Sequence, residues 1–233
     1  MTATTDKTVL IIGASRGLGY ALAAEYLARG WQVTATVRGS RRTELHQLAS
    51  SSAGRLVVET VDITVPQEIA ALHDRLAQTA FDLLLVNAGV TNGPQETVAD
   101  VSTDTFIRLM VTNALSPMRV IEALRDLVTP KGTIAVMSSG QGSVANNDKG
   151  GFEVYRASKS ALNQLMRSFA ARHAGDPRTL LLMAPGWVQT DLGGPAARLT
   201  IGQSIPGVAD TIEAQAAKGG LQYLDYQGQT VRW

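Results

Sequence analysis

Tyr155 and Lys159 stand four residues apart in Tyr155-Arg156-Ala157-Ser158-Lys159. On a helix that spacing brings both side chains to one face. A free phenol has a pKa of about 10 and is a poor base at neutral pH. An ammonium beside it favours the phenolate and lowers that value. Such a pair can deliver or withdraw a proton at an alcohol or ketone oxygen. Alone it says little, because tyrosine and lysine at this spacing often only decorate a surface. Its meaning depends on what else the chain brings to the same place.

A second signal lies near the start. Gly13-Ala14-Ser15-Arg16-Gly17-Leu18-Gly19 follows a short apolar run and opens a helical segment. Glycines there permit a tight turn and let backbone approach a pyrophosphate seated on the helix N-terminus. The spacing is G-x-x-x-G-x-G rather than the common G-x-G-x-x-G. The bland alternative is a glycine-rich turn with no ligand, which the strand-turn-helix context disfavours. The next apolar run ends Thr36-Val37-Arg38-Gly39, with Arg41 and Arg42 just beyond. An NAD enzyme would place a carboxylate near there for the ribose hydroxyls. This chain offers cations instead, suited to a 2′-phosphate, and Arg16 could add another. The expected cofactor is NADP(H) in preference to NAD(H).

The elements that must position these residues follow from the apolar pattern. Runs rich in Val, Ile and Leu at 8–12, 32–37, 55–60, 82–86, 133–137 and 179–183 read as buried strands, with a weaker one at 222–226. Segments with helical spacing lie between and after them, at 18–29, 41–49, 66–78, 103–128, 155–173 and 204–217. Such alternation predicts a parallel sheet covered by helices on both faces. The fold expected is a single Rossmann domain over 1–233, α/β and doubly wound, with a seven-stranded parallel sheet. The unusual strings fall just after strands: the glycine turn, Arg38, Asp62, Asn87-Ala88-Gly89, Ser138-Ser139 and Pro185-Gly186. Ligands bind outside the carboxyl ends of strands in open α/β sheets. The segment 103–128 contains Pro117, which has no N–H for the carbonyl four residues back. That carbonyl belongs to Asn113.

Gross properties exclude several alternatives. The chain has 233 residues, a formal net charge of +1 and no cysteine. That charge gives no electrostatic reason to expect nucleic acid or a membrane surface as partner. Disulfides, thiolate metal sites and cysteine nucleophiles are ruled out. His46, His73 and His173 follow no metal spacing, so no metal site is expected. The polar start 1–7 and the short apolar run after it fit neither a secretory leader nor a membrane span, which makes the cytoplasm the default.

Taken together, the motifs resemble the short-chain dehydrogenase/reductase family of the classical type, along nearly the whole chain. They are the glycine turn Gly13 to Gly19, Asn87-Ala88-Gly89, Ser139, the Tyr155 and Lys159 pair, and Pro185-Gly186-Trp187-Val188-Gln189-Thr190-Asp191. The string Tyr223-Leu224-Asp225-Tyr226-Gln227-Gly228 and the stretch 146–151 resemble its sniffer/C-factor-like carbonyl reductase branch.

The resemblance implies an NADP-dependent oxidoreductase that reduces an aldehyde or ketone. Tyr155 would protonate the substrate oxygen, and Ser139 would hydrogen-bond it. Lys159 would bind the nicotinamide ribose and lower the tyrosine pKa. Asn113 would complete the set, its main-chain carbonyl holding a water that links Lys159 to solvent. Gly13, Ser15, Arg16, Gly17, Leu18 and Gly19 would hold the pyrophosphate end. Asp62 and Ile63 would meet the adenine, and Asn87, Ala88 and Gly89 the adenine ribose. Pro185, Gly186, Val188 and Thr190 would hold the nicotinamide.

The interval from Ser139 to Tyr155 is longer than the family's commonest pattern, which leaves Ser138 open beside the better-matching Ser139. The loop after Asp191 is short and suggests an open, mobile substrate lid. Trp187 stands where it could touch substrate. Family members often pair through helices equivalent to 103–128 and 155–173, implying a homodimer or homotetramer, although neither segment carries a decisive outer apolar stripe. Two other functions compete: an NADP(H)-binding signalling or regulatory protein with incidental turnover, and epimerisation or dehydration on the same scaffold. The sequence does not name the substrate.

Overall fold

A computed structural model describes residues 7–233, so all but the last residue of the polar start lies outside the described residues. The strands are β1 (Thr8–Ile12), β2 (Gln32–Val37), β3 (Leu56–Thr60), β4 (Phe81–Val86), β5 (Val128–Met137), β6 (Thr179–Ala184) and β7 (Gly220–Asp225). They form one seven-stranded sheet in the order β3-β2-β1-β4-β5-β6-β7, every pair parallel. The order reverses between β1 and β4, which opens a crevice at their carboxyl ends.

Near-continuous apolar runs are what a sheet buried on both faces requires, because alternate side chains serve opposite cores. Leu10, Ile12, Leu84, Val86, Ile134 and Val136 enter one core. Their neighbours Val9, Ile11, Leu83, Leu85, Ala135 and Met137 enter the other. The helices covering these cores are α1 (Gly17–Ala28), α2 (Glu44–Ser50), α3 (Pro66–Leu76), α4 (Thr103–Met110), α5 (Ser116–Leu124), α6 (Glu153–Arg172) and α7 (Ile201–Ala214). No helix among the described residues is long and apolar enough to cross a membrane.

The expected helix 103–128 is corrected in two ways. It is α4 and α5 joined by a π-helical turn at Val111–Leu115, and a short 3-10 turn at Arg125–Leu127 then leads into β5. Without an N–H on Pro117, the bond to Asn113 cannot form. The ladder there takes the wider spacing, with the Ser116 N–H donating to the Val111 carbonyl, a π-bulge of the kind found where a helix must aim a side chain. Strand β5 also begins earlier than its unbroken apolar stretch. Val128 pairs with Phe81 and Thr133 with Leu83, and the register shift between them absorbs Pro130-Lys131-Gly132. Helix α2 starts at Glu44 rather than Arg41. The His46 ring accepts from the Thr43 N–H at 3.1 Å, which gives that histidine a local structural role.

Candidate active site

The strand tips converge on a cavity of about 930 Å³. Gly13, Arg38, Asp62, Asn87, Ser139 and Pro185 all line it. So do Ser15, Arg16, Gly17, Leu18, Ile63, Ala88, Gly89, Gly186, Val188, Thr190, Tyr155 and Lys159. Gly19 and Asn113 stand behind this lining and act on it through contacts.

At the phosphate end, Gly13 has φ +87°, a conformation costly to any side chain. A Cβ on it would lie 2.8 Å from the Ala88 Cβ. One on Gly19 would lie 2.1 Å from the Gly13 carbonyl oxygen. The turn is thus held tight against the end of β4. The Asn87 side chain donates to the Gly13 carbonyl at 2.9 Å, and the Gly13 N–H donates to the Thr36 hydroxyl at 2.9 Å. Helix α1 has no side-chain cap and no acid in its first turn, whereas Ser102 caps α4 and Thr200 caps α7. Its first N–H groups therefore remain available to an anion. Glycines that exclude a Cβ and an uncapped helix end fit a dinucleotide pyrophosphate.

Arg38 is exposed at the tip of β2 and lines the cavity. Its positive charge helps hold the Asp62 carboxyl below its usual range; burial opposes that, and hydrogen bonds from Thr64 favour it more directly. Arg41 and Arg42 are exposed and lie off the lining. Arg16 instead reaches Asp191 at 2.8 Å, bridging the glycine turn and the loop after β6.

At the other end, α6 carries Tyr155 and Lys159, both buried. The Lys159 Nζ donates to the Met137 carbonyl at 2.8 Å and lies 5.9 Å from the centre of the Tyr155 ring. The Ser139 side chain, whose oxygen accepts the Gln141 N–H at 3.1 Å, stands near enough to Tyr155 to favour its phenolate. Ser138 is turned away, its hydroxyl donating to the Asn163 Oδ1 at 2.6 Å. The geometry thus pairs Ser139, not Ser138, with Tyr155. Burial pushes the Tyr155 phenol up to about 12, against the influence of Ser139. Burial also brings Lys159 down to about 8. Burial, which disfavours the phenolate, governs the tyrosine here rather than the ammonium that the sequence suggested.

The π-turn gives Asn113 a part that its sequence position did not reveal. Its side-chain oxygen accepts from the Val90 N–H at 2.8 Å. Its nitrogen donates to the Val90 carbonyl at 2.8 Å and to the Ser158 hydroxyl at 3.0 Å. The residue ties the loop after β4 to α6 between Tyr155 and Lys159.

The loop expected to be an open lid is stitched down. Gln189 N–H donates to the Leu199 carbonyl at 2.8 Å, and Leu199 N–H to the Trp187 carbonyl at 3.0 Å. The Trp187 indole donates to the Gly193 carbonyl at 2.7 Å. Trp187 lines the cavity and remains 47% exposed, so it forms an aromatic rim rather than core. Phe152, Asn146 and Val231 complete that end. Asn146 falls in the irregular stretch 140–151 that the sequence points to as pocket wall, whereas Phe152, just past it, and Val231, after β7, were not marked. No group of three metal-ligating side chains occurs among the described residues.

Comparison with known proteins agrees with this geometry. The sequence profile of the family described as short chain dehydrogenase matches residues 7–198. A Burkholderia multivorans protein assigned as a short-chain dehydrogenase/reductase, with bound NADP, is 58% identical at a TM-score of 0.96, covering 98% of this chain and 100% of that one. A carbonyl reductase of Pseudomonas aeruginosa PAO1 in complex with NADP is 36% identical at a TM-score of 0.90, covering 98% and 100%. The C-signal protein of Myxococcus xanthus is 36% identical over 154 residues, 65% of this chain and 92% of that protein.

Proposed function

The chain belongs to the short-chain dehydrogenase/reductase family, on its sniffer/C-factor-like branch, and from that premise we propose that it is an NADP(H)-dependent carbonyl reductase with Tyr155 as general acid. The observation that carries this is the Ser139–Tyr155–Lys159 cluster at the end of a cavity whose other end is an uncapped, glycine-lined helix N-terminus.

Bound NADPH supplies a hydride. The residues of the chain do the rest. The glycine turn and the start of α1 would hold the pyrophosphate, and Arg38 would meet the 2′-phosphate. Pro185, Gly186, Val188 and Thr190 line the cavity where the nicotinamide would lie. Ser139 donates a hydrogen bond to the substrate carbonyl oxygen and stabilises the charge that develops there. Tyr155 gives its proton to that oxygen, and its raised pKa keeps the proton in place until then. Lys159, held at the Met137 carbonyl, places a positive charge beside the phenol. Asn113 fixes the backbone on which these groups sit.

The test is NADPH oxidation across a panel of aldehydes and ketones, with deuterium on the cofactor followed into product. Alcohol carrying the label is expected. Absence of turnover on every carbonyl, with NADPH still bound, would favour a signalling or regulatory role, a reading that the likeness to C-signal keeps in view. Product formed without label would favour epimerisation or dehydration.

The cofactor preference has a separate expectation. Arg38→Ala removes the cation at the β2 tip and leaves the fold alone. NADPH affinity is expected to fall about tenfold or more, with NADH affinity changed less than about twofold. Titration of both nucleotides by intrinsic fluorescence decides it, and an equal loss of both would reduce Arg38 to a structural role. Pairing of two chains belongs to the same proposal. A groove among α3, α5 with its preceding π-turn, and α6 exposes Leu115 and Leu165 beside Met118, apolar surface that the sequence pattern of these helices did not bring out.

A further inference from the structure

The peptide of Ser139 is held from behind by a residue 84 positions away. Tyr223 lies in β7, buried, and its hydroxyl donates to the Ser139 carbonyl oxygen. That oxygen also accepts the Gly142 N–H at 2.9 Å, within its own turn. A carbonyl has two lone pairs, and both are used. The neighbouring serine loop is fixed from α6, where the Asn163 amide donates to the Gly142 carbonyl at 3.1 Å and its oxygen accepts from Ser138.

Tyr223 is itself held. The chain folds back after β7, pairing Leu224 with Thr230, and the Val231 N–H donates to the Tyr223 carbonyl at 2.9 Å. The Trp233 ring meets the Tyr223 ring edge-on at 5.5 Å. Arg167 of α6 lies over the other ring of that pair, its guanidinium carbon 4.5 Å from the Trp233 centroid. The Trp233 main-chain oxygen accepts the Ala145 N–H at 3.0 Å, on the same loop as Ser139. Strand β7 and the fold-back thus touch the serine loop at one point each, Ser139 and Ala145, and the fold-back places Val231 on the cavity wall.

We propose that Tyr223 is a positioning residue for Ser139, its hydroxyl setting the orientation of the serine peptide and Trp233 holding the tyrosine in register. This rests on the reading of Ser139 as the residue that meets the substrate oxygen. A phenol merely filling the core would need no partner so specific, since the ring alone provides the packing. The hydroxyl adds a constraint on the one peptide whose tilt sets the distance from the Ser139 side chain to Tyr155. Small misplacements of such a group lower the rate without changing cofactor binding, because the phosphate turn lies at the far end of the cavity.

The experiment is a double-mutant cycle on the full chain, comparing wild type, Tyr223→Phe, Ser139→Ala and the double variant. Carbonyl reduction, NADPH affinity and Tm are read for each. Tyr223→Phe keeps the ring and its contact with Trp233. It is expected to lower kcat roughly tenfold with NADPH affinity unchanged. In the Ser139→Ala background the same substitution is expected to cost nothing further, since the group it positions is gone. Trp233→Ala is expected to reproduce part of the kcat loss. A wild-type kcat for Tyr223→Phe, beside an impaired Ser139→Ala, would overturn this inference and leave the proposed function intact. So would the same fold loss in both backgrounds, or loss of NADPH binding along with rate. A Ser139→Ala variant that turns over at the wild-type rate would overturn both the inference and the role of Ser139 it depends on.

Discussion

Tyr155→Phe is expected to lower kcat for NADPH-dependent carbonyl reduction by about a thousandfold, the usual scale of a lost general acid. The substitution removes one oxygen and keeps the buried ring, its edge contact with Phe152 at 6.4 Å included. NADPH affinity and Tm should therefore hardly change, which separates loss of chemistry from loss of fold. Stopped-flow hydride transfer and nucleotide titration on the same preparation make the comparison. The wild-type pH profile carries a matching signature. With the phenol near 12, Tyr155 stays protonated throughout the neutral range. Lys159, brought to about 8 by burial, loses its charge first as pH rises. Reduction is thus expected to be flat below about pH 8 and to decline above it. Tyr155→Phe retaining the wild-type rate would remove Tyr155 from the mechanism.

The parts of this site legible in the sequence are those encoded locally. A glycine turn after an apolar run, an arginine where an acid would stand, and a tyrosine one helical turn from a lysine each announce themselves within a few residues. The sheet was legible for the same reason, because burial on both faces leaves continuous apolar runs. Pro117 marked the broken hydrogen bond at Asn113, but not how the ladder would heal. The wider π-turn depends on packing around α4 and α5, and so does the aim of the Asn113 side chain at Val90 and Ser158. The early part of β5 was hidden because Pro130, Lys131 and Gly132 interrupt its pattern. Contacts between distant segments were not legible at all. A tyrosine in an apolar strand reads as core, and nothing near Tyr223 shows that its hydroxyl meets Ser139. Arg16 lines the cavity, but its pairing with Asp191 from the loop after β6 was likewise not legible.

At the phosphate end, a single methyl group is expected to have an effect second only to loss of the phenol. Gly19 is buried in the first turn of α1. A Cβ there would lie 2.1 Å from the Gly13 carbonyl oxygen, 2.7 Å from the Asn87 side-chain nitrogen and 2.9 Å from the Ala14 Cα. Two of the three obstacles are backbone, so no rotamer change relieves them. Gly19→Ala must push the start of α1 away from the turn, or push Gly13 against Ala88, where no room remains. Either movement breaks the bond from Asn87 to the Gly13 carbonyl and spreads the N–H groups that would cradle the pyrophosphate. Overpacking of this kind costs about 1–3 kcal/mol in stability. The loss in binding should be larger, because several hydrogen bonds to one anion depend on the same geometry. NADPH affinity is expected to fall by about a hundredfold, with NADH falling in parallel, since both share the pyrophosphate. That parallel loss is the opposite of the selective loss expected for Arg38→Ala. Gly202→Ala supplies the contrast, because a Cβ on that helical glycine meets nothing within 4 Å. It should leave both nucleotides bound as before and raise stability slightly through helix propensity. Nucleotide titration and thermal unfolding of the two variants decide the matter, and a Gly19→Ala protein that binds NADPH like wild type would show that the pyrophosphate does not rest on this turn.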